Sequence, residues 1–219
     1  IFQKILVPGA KLPPERELAR RFGVSRSSLR HALKVLDALG VLRQRIGDGT
    51  YLSKTAEGML SKPLEFLVLL EGISLFEVLE TRLIVEPELA ARAAERATLA
   101  DLARLEHSLE GMEKESDQAR LIELDAQFHR AIFRSAGNRL CDHIFSLIHR
   151  AMLSSIALTS QLVDWDHTLA YHRRIHAAID RRRPGEARER MSEHLADARH
   201  LLERIAAQSS AVWLPEAIR

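Results

Sequence analysis

The feature that most constrains this chain is a pair of short helical stretches joined by a tight turn at Gly23, followed by a glycine-rich hairpin. Pro13 and Pro14 cannot sit inside a helix, but Pro14 suits a first helical turn, where Glu15 and Glu17 oppose the positive end of the helix dipole. Leu18, Ala19 and Phe22 supply a short apolar face, and Gly23 can take the left-handed conformation that stops the helix. Ser25 is a natural N-cap for a second helix. On that helix Leu29, Leu33, Leu36 and Leu39 recur at helical spacing beside Ala32, until Gly40. The stretches VLRQR and TYLSK predict two short strands around Gly47-Asp48-Gly49. This arrangement predicts an N-terminal winged helix-turn-helix with a β-hairpin wing over residues 1–54.

Charge supports a polyanionic partner for this part alone. The chain has a net charge of +2, yet residues 1–54 carry 11 Lys and Arg against 4 Asp and Glu, a net of +7, and the rest is net −5. A recognition helix presents its N-terminal end to the major groove, where hydroxyls reach phosphates and Arg pairs with guanine. That end holds Ser25, Arg26, Ser27, Ser28 and Arg30, while Arg43 and Arg45 lie on the wing. The expected partner is a double-stranded DNA operator.

The run PGAKLPPERELARRFGVSRSSLRHALKVLDALGVLRQRIGDGTYL resembles the winged helix-turn-helix of the GntR family of bacterial regulators. The resemblance rests on PG, LP, ERELA, FGVSR, the LR pair and the closing G-x-G-T-aromatic. It implies DNA contacts by Arg16, Arg26, Arg30 and Gly47. Two positions depart from the pattern: Pro14 replaces a usual Ser, and Ile46 replaces a polar residue before the wing glycine. Because the chain begins without Met and already inside the pattern, we expect a further N-terminal segment.

Residues 55–63 have linker composition, and residues 208–219 read as a tail. Between them, residues 64–207 lack strand alternation and predict an all-α bundle of about six helices. Breaks are expected near Glu71-Gly72, Thr98, Gly111–Ser116, Gly137-Asn138, Leu162–Asp164 and Pro184-Gly185. Thr98 and Asp101 have the spacing of a capping box. The overall fold class is mainly α.

Three bundle helices carry polar residues on their apolar stripes. Asp125 and His129 fall among Leu121, Leu124, Phe128 and Ile132. His172 or His176 falls on the Leu169–Ile179 stripe, and His194 on the stripe of Met191, Leu195, Ala198 and Leu202. A buried carboxylate needs a partner, so these groups are expected to meet in the core as ligands of a divalent transition metal. Taken singly, each could instead be a hydrogen-bonded core residue, and Asp125–His129 a buried ion pair. His107, His143, His149, His167 and His200 read as surface or packing residues.

The segment from about Leu75 to Ile205 resembles the FCD ligand-binding domain of the FadR subfamily within that family. The supporting stretches are EVLETRLIVEPELAARAAERAT, D-x-x-F-H, the AGN break, H-x-x-I-x-x-A-I and the late EHL. The resemblance implies Asp125, His129, His172 and His194 as the metal ligands, with His176 a neighbour. Zinc is the expected occupant, and nickel or manganese would suit the same groups. It also argues against fatty acyl thioesters as ligands.

Three His and one carboxylate leave coordination positions for a small carboxylate effector, with Arg82 and Arg150 as candidates to neutralise its charge. The expectation is a cytoplasmic, homodimeric bacterial transcription regulator, taken as a repressor. A metal-dependent hydrolase or lyase is the alternative, but no H-E-x-x-H is present and residues 1–54 would be unexplained. A constitutive DNA-binder with a structural metal is a third reading. The single cysteine, Cys141, excludes an internal disulfide framework, and no run approaches the roughly 20 apolar residues of a membrane helix.

Overall fold

The computed structural model describes residues 6–54, 70–144 and 163–208. The chain divides into two compact units, Ile1–Glu65 and Phe66–Arg219. The expected linker at 55–63 and the tail beyond 208 lie outside the described residues, as do His149 and Arg150.

In the first unit, α1 (Glu15–Phe22) and α2 (Arg26–Ala38) precede β1 (Leu42–Arg45) and β2 (Gly49–Leu52). Pro14 stands at the N-cap of α1, one residue before the helical turn expected for it. Gly23 ends α1 with φ 63°. The Ser25 side chain caps α2 by accepting a hydrogen bond from the Ser28 N–H at 3.0 Å. The strands pair antiparallel, Leu42 opposite Leu52 and Arg45 opposite Gly49, leaving residues 46–48 as the turn. Residues 9–12 also line β2: Gly9 N–H donates to Leu52 O, Leu12 N–H to Thr50 O, and Leu52 N–H to Ala10 O. Lys11 joins Asp48 at 2.8 Å, and the Tyr51 hydroxyl donates to the same carboxylate, so the wing tip is tied back to the segment before α1.

The core of this unit is Leu18, Ala19, Leu29, Leu33, Leu42 and Leu52. Three residues of the expected apolar faces are not in it: Phe22 is 68% exposed, Leu39 is 52% exposed, and Leu36 is also at the surface. Helix lengths explain Leu36 and Leu39. At 1.5 Å per residue, α1 spans about 12 Å and α2 about 20 Å, so the leucine stripe of α2 outruns the helix it packs on.

The second unit contains α3 (Leu75–Arg96), α4 (Leu99–Lys114), α5 (Gln118–Ser135), α6 (Trp165–Asp180) and α7 (Pro184–Gln208), with further helical residues at 139–144. Capping boxes open α3 (Ser74 with Glu77) and α4 (Thr98 with Asp101); Asp117 and Asp164 cap α5 and α6. Fully buried Ala90, Ala93, Ala94 and Ala187 keep helices close, and Leu105, Phe128, Ile132, Phe133, Ile175, Ile179, Met191 and Leu195 fill the core. Pro87 lies inside α3 and removes the N–H that would reach the Leu83 carbonyl.

The breaks expected near Gly111–Ser116 and Pro184-Gly185 fall at residues 115–117 and 181–183. Gly111 itself stays helical within α4, and a Cβ there would stand 2.9 Å from Leu124 Cδ2, so the glycine serves close packing of α4 on α5. Pro184 and Gly185 lie in the first turn of α7, where proline is tolerated, and the turn before it contains Arg182 at φ 57°. Among the described residues, no helix is long and apolar enough to cross a membrane.

Candidate functional site

Helices α5, α6 and α7 bring four polar side chains to one point in the core. Asp125 and His129 are one turn apart on α5, His172 comes from the middle of α6, and His194 from α7. His172 is completely buried, while the neighbouring His176 turns away and pairs with Glu106 through Nδ1 at 3.3 Å. The fold thereby separates two histidines that periodicity leaves on one face.

The four donor atoms lie within 4.8 Å of one another. His194 Nε2 is 3.3 Å from both His172 Nε2 and His129 Nε2, and Asp125 Oδ1 is 3.4 Å from His172 Nε2. Donors about 2.1 Å from a common cation stand roughly 3.0–3.4 Å apart, so this convergence has the spacing of a ligand set. Burial, the largest cause, pushes His194 well below the usual histidine value, which keeps it neutral. A neutral ring with an inward lone pair is the form that ligates metal. Behind the cluster, Phe128 stacks on His172 with ring centroids 4.2 Å apart.

Glu86, on α3, is the functional residue that sequence reading missed. Its Oε2 accepts a hydrogen bond from His129 Nδ1 at 2.8 Å. An ionised carboxylate only accepts, so Nδ1 carries the proton and Nε2 presents its lone pair to the cluster. Burial pushes the Glu86 carboxyl up, but Arg82 and His129 outweigh it and hold the group far below the ordinary carboxylate range. Arg82 pairs with Glu86 one turn away, and its Nη2 lies 3.4 Å from His129 Nδ1. The signal was available: Arg82 and Glu86 interrupt the apolar stripe of α3, as Asp125 and His129 interrupt that of α5.

A pocket with a cavity volume of about 120 Å³ opens beside the cluster. Arg82, Asp125, His129 and His194 line it together with the apolar Leu75, Leu79, Leu201, Leu202 and Ile205. Of the two arginines expected to face an effector, Arg82 lines this pocket, with its guanidinium engaged by Glu86. Arg150 lies outside the described residues. His107, His167 and His200 are exposed and His143 is half-buried, as expected for residues outside the cluster.

The residues expected to face DNA are all at the surface of the first unit. Arg16, Ser25, Arg26, Ser27, Ser28 and Arg30 are exposed, as are Arg43, Arg45 and Gly47. Ser25 is occupied as a cap, and its Oγ also contacts Ser27 Oγ and Ser28 Oγ. Arg30 is held by Glu15 at 3.0 Å, and Arg45 lies over the Tyr51 ring at 4.8 Å. Gly47 turns the hairpin at φ 76°, and Ile46 projects fully into solvent.

Residues 1–52 match the model of bacterial regulatory proteins of the gntR family, and residues 77–197 match the FCD domain. The chain belongs to the GntR family. Over 204 residues this GntR protein is 31% identical to the HTH-type transcriptional regulator LutR of Bacillus subtilis, covering 90% of this chain and 93% of the relative. It is 32% identical over 200 residues to the HTH-type transcriptional repressor NanR of Cronobacter sakazakii, covering 85% and 75%. The solved structure of Streptococcus agalactiae GntR superposes with a TM-score of 0.72 at 28% identity, covering 91% of this chain and 93% of that one. The GntR chain is a DNA-binding transcription regulator with the winged helix-turn-helix and FCD architecture of the FadR subfamily, and its relatives are regulators rather than enzymes.

Proposed function

We propose that this GntR protein is a homodimeric repressor whose hold on its operator is controlled by a small organic acid bound at a metal in the FCD domain. The observation that supports it most is the convergence of His129, His172 and His194 through their Nε2 atoms, beside Asp125 and at the polar end of a pocket. The bound divalent cation, zinc before nickel or manganese, supplies a positive centre with open positions for a carboxylate oxygen. The chain's own residues do the rest. Glu86 sets the His129 tautomer, Arg82 holds Glu86 and adds a positive charge to the pocket wall, and Phe128 backs His172. In the first unit, Arg26 and Arg30 at the start of α2 read base edges. Arg16, Ser27, Ser28, Arg43 and Arg45 hold phosphates, and Ser25 caps the recognition helix. Gly47 lets the wing backbone approach the DNA closely.

The test is thermal unfolding of metal-loaded and chelated protein against a panel of small carboxylic acids, followed by operator titration. The expected result is that acids raise the melting temperature only with metal bound, and that the same acids change operator affinity. A cation that stabilises the fold with no acid responding in either form would leave the metal structural and overturn the sensor reading. Asp125→Ala and His194→Ala are expected to abolish metal-dependent stabilisation.

A further inference from the structure

We infer that the pocket beside the cluster selects a monocarboxylate with a short apolar body and discriminates against di- and tricarboxylates. This rests on the reading that an acid binds at the metal, and it narrows the class of acid. Polarity along the pocket is the first argument. α3 contributes Leu75, Leu79 and Arg82, and α7 contributes His194, Ala198, Leu201, Leu202 and Ile205, each set on one helical face. Arg82 and His194 are at the cluster end. Leu75 lies about 10 Å along α3 from Arg82, and Ile205 about 16 Å along α7 from His194. An occupant with its carboxylate at the cluster therefore lays its remaining atoms along a mostly apolar wall of leucine and isoleucine side chains, with Thr168 and Asp197 also on it.

Charge is the second argument. A divalent cation with Asp125 and three neutral histidines carries a net +1, and Arg82 with Glu86 adds zero. One carboxylate balances this. A second carboxylate would meet the like charge of Asp197, which lines the pocket and lies 3.3 Å from His167. A carboxylate buried among apolar groups without a partner is strongly disfavoured. Size sets the third limit: a cavity of about 120 Å³ is close to the roughly 150 Å³ known to accommodate benzene, so the body fits about six non-hydrogen atoms.

Isothermal titration of the zinc-loaded full chain with acetate, hexanoate, adipate and citrate tests this. Hexanoate is expected to bind about ten-fold or more tighter than acetate, through burial of its methylenes, and about ten-fold or more tighter than adipate, which has the same length and a second charge. Asp197→Asn, at a partly exposed position, is expected to narrow the hexanoate-to-adipate ratio. Adipate or citrate binding as tightly as hexanoate would overturn this inference while leaving a metal-dependent acid sensor intact. Failure of every acid to bind the zinc-loaded chain would instead remove the acid-sensor reading, and this selectivity with it.

Discussion

Glu86→Gln separates what holds the FCD fold together from what organises the candidate metal site. Arg82 is 4% exposed and Glu86 1%, so this is a buried ion pair. Removing one charge of such a pair leaves the other stranded, at a cost of about 3–5 kcal/mol. Glutamine keeps an acceptor for Arg82, so about 3 kcal/mol is expected. For a unit of this size that lowers the melting temperature by roughly 6–12 °C. The second consequence concerns His129. Without an anionic acceptor at Nδ1, the ring loses its fixed tautomer and orientation, and metal affinity is expected to fall about 10–100-fold. Competition against a chromophoric chelator measures that affinity, and thermal unfolding of chelated protein measures stability. The double variant Arg82→Met, Glu86→Leu removes both charges, so much of the stability returns, but His129 still lacks its acceptor. Stability should therefore recover in the double variant while metal affinity stays low. Wild-type metal affinity in the double variant would refute the argument that Glu86 orients His129.

Other consequences are independent of this one. In chelated protein, burial and the neighbouring histidines hold His194 well below the ordinary value of 6.5, so the unfolded chain takes up a proton that the fold refuses. Stability is then full above pH 6.5 and falls as pH drops, by about 1.4 kcal/mol per pH unit once the unfolded chain is protonated; denaturant melts that are flat from pH 7 to 5.5 would contradict this. Arg26→Ala should cost about 1–3 kcal/mol of operator affinity and relax discrimination if it reads a base. An equal loss on all sequences, with a shallower salt dependence, would assign it to phosphate. Gly111→Leu should destabilise the bundle by about 1–3 kcal/mol, since even a Cβ comes within 2.9 Å of Leu124, and urea unfolding would show no loss if α4 and α5 can move apart.

Local rules decided much of this protein without any help from tertiary structure. Gly23 at φ 63°, the Ser25 cap, the Thr98–Asp101 capping box and the hairpin around Gly47 each depend on neighbours a few residues away, so they were legible in the chain. The polar interruptions at Asp125, His129 and His194 were legible too, because a charge or imidazole on a buried stripe demands a partner. Partners across helices are another matter. Which of His172 and His176 turns inward depends on where α6 sits against α5 and α7, and periodicity assigns them one face. Glu86 joins the site because α3 crosses α5, 43 residues away in sequence. Gly111 looks like a helix break until Leu124 is seen against it. Leu36 and Leu39 look like core until α1 is seen to be too short to cover them. Turns and caps are satisfied within a few residues, whereas burial and ligand geometry are sums over contacts between distant segments, and only the packed helices determine which of those contacts exist.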